Sequence, residues 1–454
     1  MKDVIVLLPG ILGSALEKGG KTLWDVSFGA IGRAVGSFGG SVNELVLSSD
    51  SSTGDGVTAT HLLSDAHIVP FFWKIDGYAE LSQFIQTKLG VTPGEDFFEF
   101  PYDWRLDNRI CAQRLASAAL GWLENRRRRC PDARLILVGH SMGGLVARYF
   151  LEMLQGWRYT RMLITLGTPY RGSVKALAFL ANGLRKQVGP VTLLDLTRLV
   201  QSLPSVHQLL PIYPCVGETG EELQGLEAID RRKIGDLDVE RARQGIAFHR
   251  EIEKAIEANR KQQDYDYTIV PVVGAYQPTF QSALFTEDGV QPLPTYKGQL
   301  MLGGDGTVPR FSATPIELSK AKAETFVACQ HASLQNFDPV RVHMRAAMED
   351  VDISKLKAVA AEAVSLDLRD AFVVGEAVRF RARCEGATEP VRALVTCLET
   401  SATVECEAGT APGPDGWQEL DAGSLPVGTY RVQLEPESVA EPFSDLFVVL
   451  ESSS

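Results

Sequence analysis

Three residues that lie far apart in the chain have the types and settings that chemistry needs. Ser141 falls in Gly139-His-Ser-Met-Gly143, a G-x-S-x-G pattern. Asp305 sits among glycines in Gly303-Gly-Asp-Gly-Thr-Val-Pro309, and His331 follows in Cys329-Gln-His-Ala-Ser333. A hydroxyl becomes a useful nucleophile when a neighbouring base takes its proton, and a carboxylate fixes the tautomer of that base. The order serine, aspartate, histidine is the one in which a serine on a strand-turn-helix elbow finds its partners. Such a set performs acyl transfer through a covalent ester on the serine.

Each member must be held just past the end of a strand. Leu135-Ile-Leu-Val138 reads as a buried parallel strand, and Leu145 to Leu154 as an amphipathic helix. The serine between them stands at a helix N-terminus, where the dipole favours developing negative charge. Tyr267 to Ala275 and Thr325 to Ala328 are strands that lead towards Asp305 and His331. Of the seven histidines, His140 is inside the elbow and His343 is in a helical run with Val340 and Met344. His61, His67, His207 and His249 precede Asp305, so only His331 fits both the order and the strand end.

Val4 to Leu8 is another apolar strand, followed by Pro9-Gly-Ile-Leu-Gly-Ser14. In this arrangement an early strand-end loop supplies one amide of an oxyanion hole, and the residue after the nucleophile supplies the other. The spacing nominates the amides of Ile11, or one residue on Leu12, and Met142. An ordinary strand-ending turn would also account for the Pro-Gly pair.

At 454 residues the chain is long enough for two or three domains. Apolar residues make up 45% and charged residues 22%, as in a globular protein. A net charge of −12 argues against nucleic acid and against purely electrostatic attachment to anionic lipid. No stretch approaches the roughly 20 apolar residues of a spanning helix, and the first apolar run, ending at Pro9-Gly10, is too short for a secretory signal. Seven cysteines without C-x-x-C spacing suggest free thiols and no zinc site. A cytoplasmic location is expected on these grounds, and the chemistry requires no metal or cofactor.

Residues 25–75 are irregular: Phe28 to Gly40 carries five glycines, and His67-Ile-Val-Pro-Phe-Phe-Trp73 is apolar and aromatic. This segment suits either a lid or a packed excursion over the core. Asp107 to Cys130 is a long helix that ends in Arg126 to Arg129, cations that complement a helix C-terminus. Residues 174–262 are leucine-rich without strand signals, which predicts a helical cap over the nucleophile. The catalytic unit is expected over 1–350 and a linker over 351–361. From 362 to 454, alternating segments with turns between them predict an all-β immunoglobulin-like sandwich for tethering or partner recognition.

Several motifs together resemble the lecithin:cholesterol acyltransferase-like family, which includes lysosomal phospholipase A2 and phospholipid:diacylglycerol acyltransferase. They are Pro9-Gly-Ile-Leu-Gly13 with Leu23-Trp24, Phe100-Pro-Tyr-Asp-Trp-Arg105, Gly139-His-Ser-Met-Gly-Gly144, Leu166-Gly-Thr-Pro169 with Arg171-Gly-Ser173, Gly304-Asp-Gly-Thr-Val-Pro309 and His331. The resemblance covers about residues 3–350. It implies an α/β-hydrolase fold, a Ser141–His331–Asp305 triad and action on lipid acyl esters. It also implies that Leu12, Trp24 and the cap border the acyl site.

The expected function is therefore hydrolysis of lipid acyl esters, most concretely of the phospholipase A type, with transient membrane contact and a protein partner for the sandwich. Transfer of the acyl group to an alcohol uses the same residues. A carboxylesterase for small esters and a non-catalytic binding protein of the same fold are the alternatives. A lipase joined to an interaction module would also suit a regulated effector that attacks membranes inside the cell.

Overall fold

Six short apolar runs pair into one sheet in a computed structural model of the chain. The structure describes residues 1–25, 43–48, 55–64, 67–69, 73–188, 191–219, 222–228, 234–297, 303–319, 325–349, 364–384, 390–408, 412, 416–435 and 443–451. The strands are β1 (Val4–Leu8), β2 (Phe97–Glu99), β3 (Leu135–His140), β4 (Thr160–Leu166), β5 (Thr268–Gly274) and β6 (Thr325–Val327). Their order is β6-β5-β4-β3-β1-β2, and every pairing is parallel. All residues of β1 and β3 are buried, as expected of central strands covered on both faces.

The order fixes where a site can form. From β1 the chain moves outward to β2, then returns to place β3 on the other side of β1. A crevice opens at such a reversal beyond the carboxyl ends of the two strands. The loop after β1 and the turn carrying Ser141 meet there.

Helix α1 (Asn108–Arg127) is capped by Asp107, whose side chain accepts from the Arg109 amide at 2.8 Å. It packs against α2 (Met142–Met153), as does α3 (Val239–Asn259). Covered by both, α2 is buried from Met142 to Glu152. At the end of α1, Arg126 donates to the carbonyls of Met1 and Lys2 and pairs with Asp96, and Arg127 donates to the Ala133 carbonyl. Those two arginines tie the helix to the sheet.

One expected insertion takes one of its two readings where it is described, and the other departs from its reading. Within 25–75, Val57–Leu62 pairs with Ser14–Lys18, which also pairs with Lys21–Trp24, and Leu45, Leu47 and Leu63 lie in the main core. That part is packed excursion. The Phe28–Gly40 run and residues 70–72 lie outside the described residues. Over 174–262 the helical cap is interrupted by an antiparallel pair, Arg185–Val188 with Val191–Asp195, and Val216–Gly217 pairs with Ser282–Phe285. The leucines mask a local strand signal, since β-branched Val188, Val191 and Thr192 flank the turn dipeptide Gly189-Pro190.

The C-terminal unit begins at β7 (Val364–Asp367) and continues through β8 (Ala371–Val373), β9 (Ala377–Cys384), β10 (Arg392–Cys397), β11 (Thr403–Glu407), β12 (Gln418–Ser424), β13 (Gly428–Glu435) and β14 (Phe443–Leu450). These form sheets β7-β9-β12 and β8-β14-β13-β10-β11. Leu366 and Phe380 of the first sheet share a core with Val395, Val432 and Phe447 of the second. The expected linker, 351–361, lies outside the described residues.

This unit is joined to the first domain by polar contacts. The Gln277 side chain donates to the Val364 carbonyl at 2.8 Å and accepts from the Leu366 amide at 3.1 Å. Lys74 reaches Asp370 and Asp445 at 2.9 Å each, and Arg431 pairs with Asp76 at 2.6 Å.

Candidate active site

The elbow is built from close approaches. Ser141 has φ 51° and ψ −123°, a conformation that costs an L-residue about 1–3 kcal/mol. Its surroundings hold it there: its amide donates to the Leu166 carbonyl at 2.8 Å, and its carbonyl accepts from Thr168 Oγ1 at 2.9 Å and the Gly144 amide at 3.1 Å. A Cβ on Gly144 would collide with the Thr168 side chain, so that position must be glycine. The Ser141 side chain makes no capping bond to α2. The Met142 and Gly143 amides of its first turn are thus not taken by the serine side chain.

Asp305 and His331 arrive from the ends of β5 and β6. The Ser141 hydroxyl lies 2.8 Å from His331 Nε2, and His331 Nδ1 lies 2.7 Å from Asp305 Oδ2. All three side chains are buried, Ser141 at 1% exposure and His331 at 3%. Asp305 Oδ1 accepts from the amides of Thr307 at 2.9 Å and Val308 at 2.7 Å, and the Asp305 carbonyl accepts from the His331 amide at 2.8 Å. The carboxylate is thereby aimed and its second oxygen satisfied. Gly167 passes directly over the pair with φ 59°, where a Cβ would sit 2.9 Å from Asp305 Oδ2 and 3.0 Å from His331 Nδ1. The structure brings the three predicted residues into one hydrogen-bonded relay.

The loop after β1 faces the serine. Gly10 to Gly13 forms a tight turn closed by the Gly13 amide on the Gly10 carbonyl at 3.1 Å, with Leu12 at φ 64°. Among the described residues, no backbone carbonyl accepts from the Ile11 or Met142 amide. The other groups of the loop are held by side chains. Tyr102 donates to the Pro9 carbonyl at 2.8 Å, Trp104 Nε1 to the Ser14 carbonyl at 3.1 Å and Trp24 Nε1 to the Leu12 carbonyl at 2.9 Å.

That accounts for two of the sequence motifs. In Phe100-Pro-Tyr-Asp-Trp-Arg105, Tyr102 and Trp104 grip the loop, and buried Arg105 bridges Asp103 and Asp55 at 2.8 Å each. Trp24 is buried edge-on against Trp104, with ring centroids 5.8 Å apart. Its polar atom supports Leu12 from behind.

A cavity of about 120 Å³ lies beside His331 at the seam between the two units, lined by Lys74, Lys175, Thr307, Gln330, Asp370 and Asp445. Its walls are polar.

The profile of the lecithin:cholesterol acyltransferase family matches residues 54–269. Over that segment, just under half of its length, the chain is similar to the lecithin:cholesterol acyltransferase family. Human lysosomal phospholipase A and acyltransferase is 33% identical to it over 126 residues, 27% of this chain and 30% of that one. Chicken phosphatidylcholine-sterol acyltransferase is 38% identical over 86 residues, 18% of this chain and 20% of that one. These matches span less than a third of either relative. Among solved structures, the mature form of Bacillus licheniformis lipase BlEst2 covers 76% of this chain and 91% of its own at 15% identity, with a TM-score of 0.33.

Sequence reasoning missed the residues that brace the loop. Tyr102 and Trp104 stood in a quoted motif without a role, and Tyr78 was not singled out. Tyr78 in fact accepts from the Gly10 amide at 2.7 Å. Only the coincidence of several aromatic residues with polar atoms around one short loop would have signalled it.

Proposed function

We propose that this chain is a serine hydrolase of lipid acyl esters that works through an acyl-enzyme on Ser141. The observation that carries the reading is the unbroken relay from Ser141 Oγ through His331 to Asp305, buried at the crevice between β1 and β3. His331 Nε2 takes the Ser141 proton as Oγ attacks the ester carbonyl carbon. Asp305 holds Nδ1–H and stabilises the imidazolium. The amides of Ile11 and Met142 receive the oxyanion, each contributing about 3–4 kcal/mol. Collapse expels the alcohol, which takes the proton from Nε2, and water then repeats the sequence on the acyl-enzyme.

Lipid esters, and phospholipids in particular, are the substrates that the resemblance to a phospholipase A and acyltransferase supports. The same relative and phosphatidylcholine-sterol acyltransferase support the second reading, in which an alcohol replaces water as acceptor. The C-terminal unit acts as a fixed wall of the site: Asp370 and Asp445 line the cavity that reaches His331. Among the described residues no helix is long and apolar enough to cross a membrane.

Incubation with mixed phospholipid vesicles followed by lipid mass spectrometry tests the substrate. Free fatty acid with lysophospholipid, absent for Ser141→Ala, is the expected result. Acylated alcohol without fatty acid would move the assignment to a transferase, and no change in any lipid with turnover of short soluble esters would make it a carboxylesterase.

A further inference from the structure

We infer that Tyr78 and His140 are positioning residues that couple the oxyanion loop to the catalytic histidine through one directed chain of hydrogen bonds. The inference rests on the hydrolase reading above and adds two residues to its machinery. The Gly10 amide donates to Tyr78 Oη at 2.7 Å, Tyr78 Oη lies 2.8 Å from His140 Nδ1, and His140 Nε2 lies 3.0 Å from the His331 carbonyl. Tyr78 and His140 are both buried, so none of these groups has water as an alternative partner.

The directions follow from the chemistry of the ends. A carbonyl only accepts, so His140 Nε2 carries a proton and donates to His331. Burial holds the imidazole neutral, with its pKa lowered to about 3, so Nδ1 is bare. The Tyr78 hydroxyl then donates to Nδ1 while its oxygen accepts from Gly10. One neutral arrangement satisfies every polar atom in the chain, which is the condition under which a buried network is rigid.

The chain's anchors give it a function. Gly10 immediately precedes Ile11, whose amide faces the oxyanion. His140 immediately precedes Ser141, and the final acceptor belongs to the base itself. Residues 10, 141 and 331 lie on three separate loops, and the Tyr78–His140 pair spans all three. The segment is also anchored behind: the Asp76 amide donates to the Ala332 carbonyl at 3.1 Å, and Gln335 donates to the Gly77 carbonyl at 3.0 Å. Acyl transfer depends on the spacing of base and oxyanion donors, where a displacement of about 1 Å costs up to about 100-fold.

The test compares Tyr78→Phe, His140→Ala and His140→Gln with the wild type in the full chain, on a 4-nitrophenyl ester. Two readouts are taken: the split between kcat and KM, and the downfield proton resonance of His331 Nδ1–H bonded to Asp305. Tyr78→Phe is expected to lower kcat by about 10- to 100-fold with KM within about twofold, and to shift or broaden the resonance. Gln can still donate to the His331 carbonyl, so His140→Gln should retain more kcat and a more native resonance than His140→Ala. Unchanged kcat and resonance in Tyr78→Phe, or equal loss in the two His140 variants, would overturn the inference. Should Tyr78→Phe fail to fold, the His140 pair decides alone. A folded wild type that turns over no ester would defeat the hydrolase reading, and the resonance would still decide the positioning claim.

Discussion

Tyr102 donates its buried hydroxyl to the Pro9 carbonyl at 2.8 Å and thereby fixes the peptide that precedes the oxyanion turn. The bond joins the loop after β1 to the segment after β2, and with the indoles of Trp24 and Trp104 it holds three of the loop's carbonyls in place. Tyr102→Phe keeps the ring but leaves that carbonyl without its donor. A loss of about 1–3 kcal/mol in unfolding free energy is expected, with kcat reduced more than KM. Urea unfolding and steady-state kinetics on the same preparation measure both. A raised KM with normal kcat would place the effect in substrate binding.

Asp305→Asn removes the charge that stabilises the imidazolium and presents Nδ1 with the wrong partner. Loss of about 10⁴-fold in kcat is expected with the fold retained. The two amides on Oδ1 would still find an acceptor in the asparagine, so circular dichroism should match the wild type. Activity within tenfold of the wild type would mean that Asp305 does not serve His331.

Lys74 is paired with Asp370 and Asp445 across the seam between the two units. Lys74→Met removes the ammonium that both carboxylates contact. Removing one partner of a buried pair typically costs about 3–5 kcal/mol. A lower Tm and faster proteolytic release of the C-terminal unit are expected. An unchanged Tm and cleavage rate would mean that the seam does not hold the units together.

The pH dependence of stability separates by sign. Burial lowers the pKa of His140 to about 3 and of His249 to about 4, while the unfolded values lie near 6.5. Below pH 6.5 the unfolded chain takes up protons that the folded one refuses. Stability therefore falls as pH falls, by about 1.4 kcal/mol per pH unit for each group. Asp76 acts in the opposite direction: burial raises its pKa to about 6, so the folded state gains a proton first and its contribution is lost as pH rises through 6. His140→Gln should flatten the decline between pH 6.5 and 4 by one proton's worth. Unfolding free energies measured at half-unit steps in wild type and variant give the difference directly, and parallel curves would contradict the assignment.

The parts of the site that repeat locally were legible in the chain. Gly-x-Ser-x-Gly between an apolar strand and a helix could hardly form anything but an elbow, and the strand-end position selected His331 from among seven histidines. What spans distant segments was not legible. Tyr78 meets Gly10 and His140 because β1 and β3 are neighbours, and nothing near Tyr78 in the sequence says so. Trp24 was recognised by type, yet its indole turns to the Leu12 carbonyl and braces the loop. In the C-terminal unit β12 carries a weak strand signal, since its buried positions are Gln418, Leu420 and Ala422 and only one of them is strongly apolar. The hairpin within the cap was hidden by leucines that suit helix and strand alike.

Covalent labelling tests the central claim most directly. Wild type and Ser141→Ala are treated with a fluorophosphonate, digested and mapped by peptide mass spectrometry. The relay predicts one adduct, on the peptide that contains Ser141, absent from the variant, with labelling slowed in His331→Ala. An adduct elsewhere, or equal labelling of wild type and Ser141→Ala, would contradict the account.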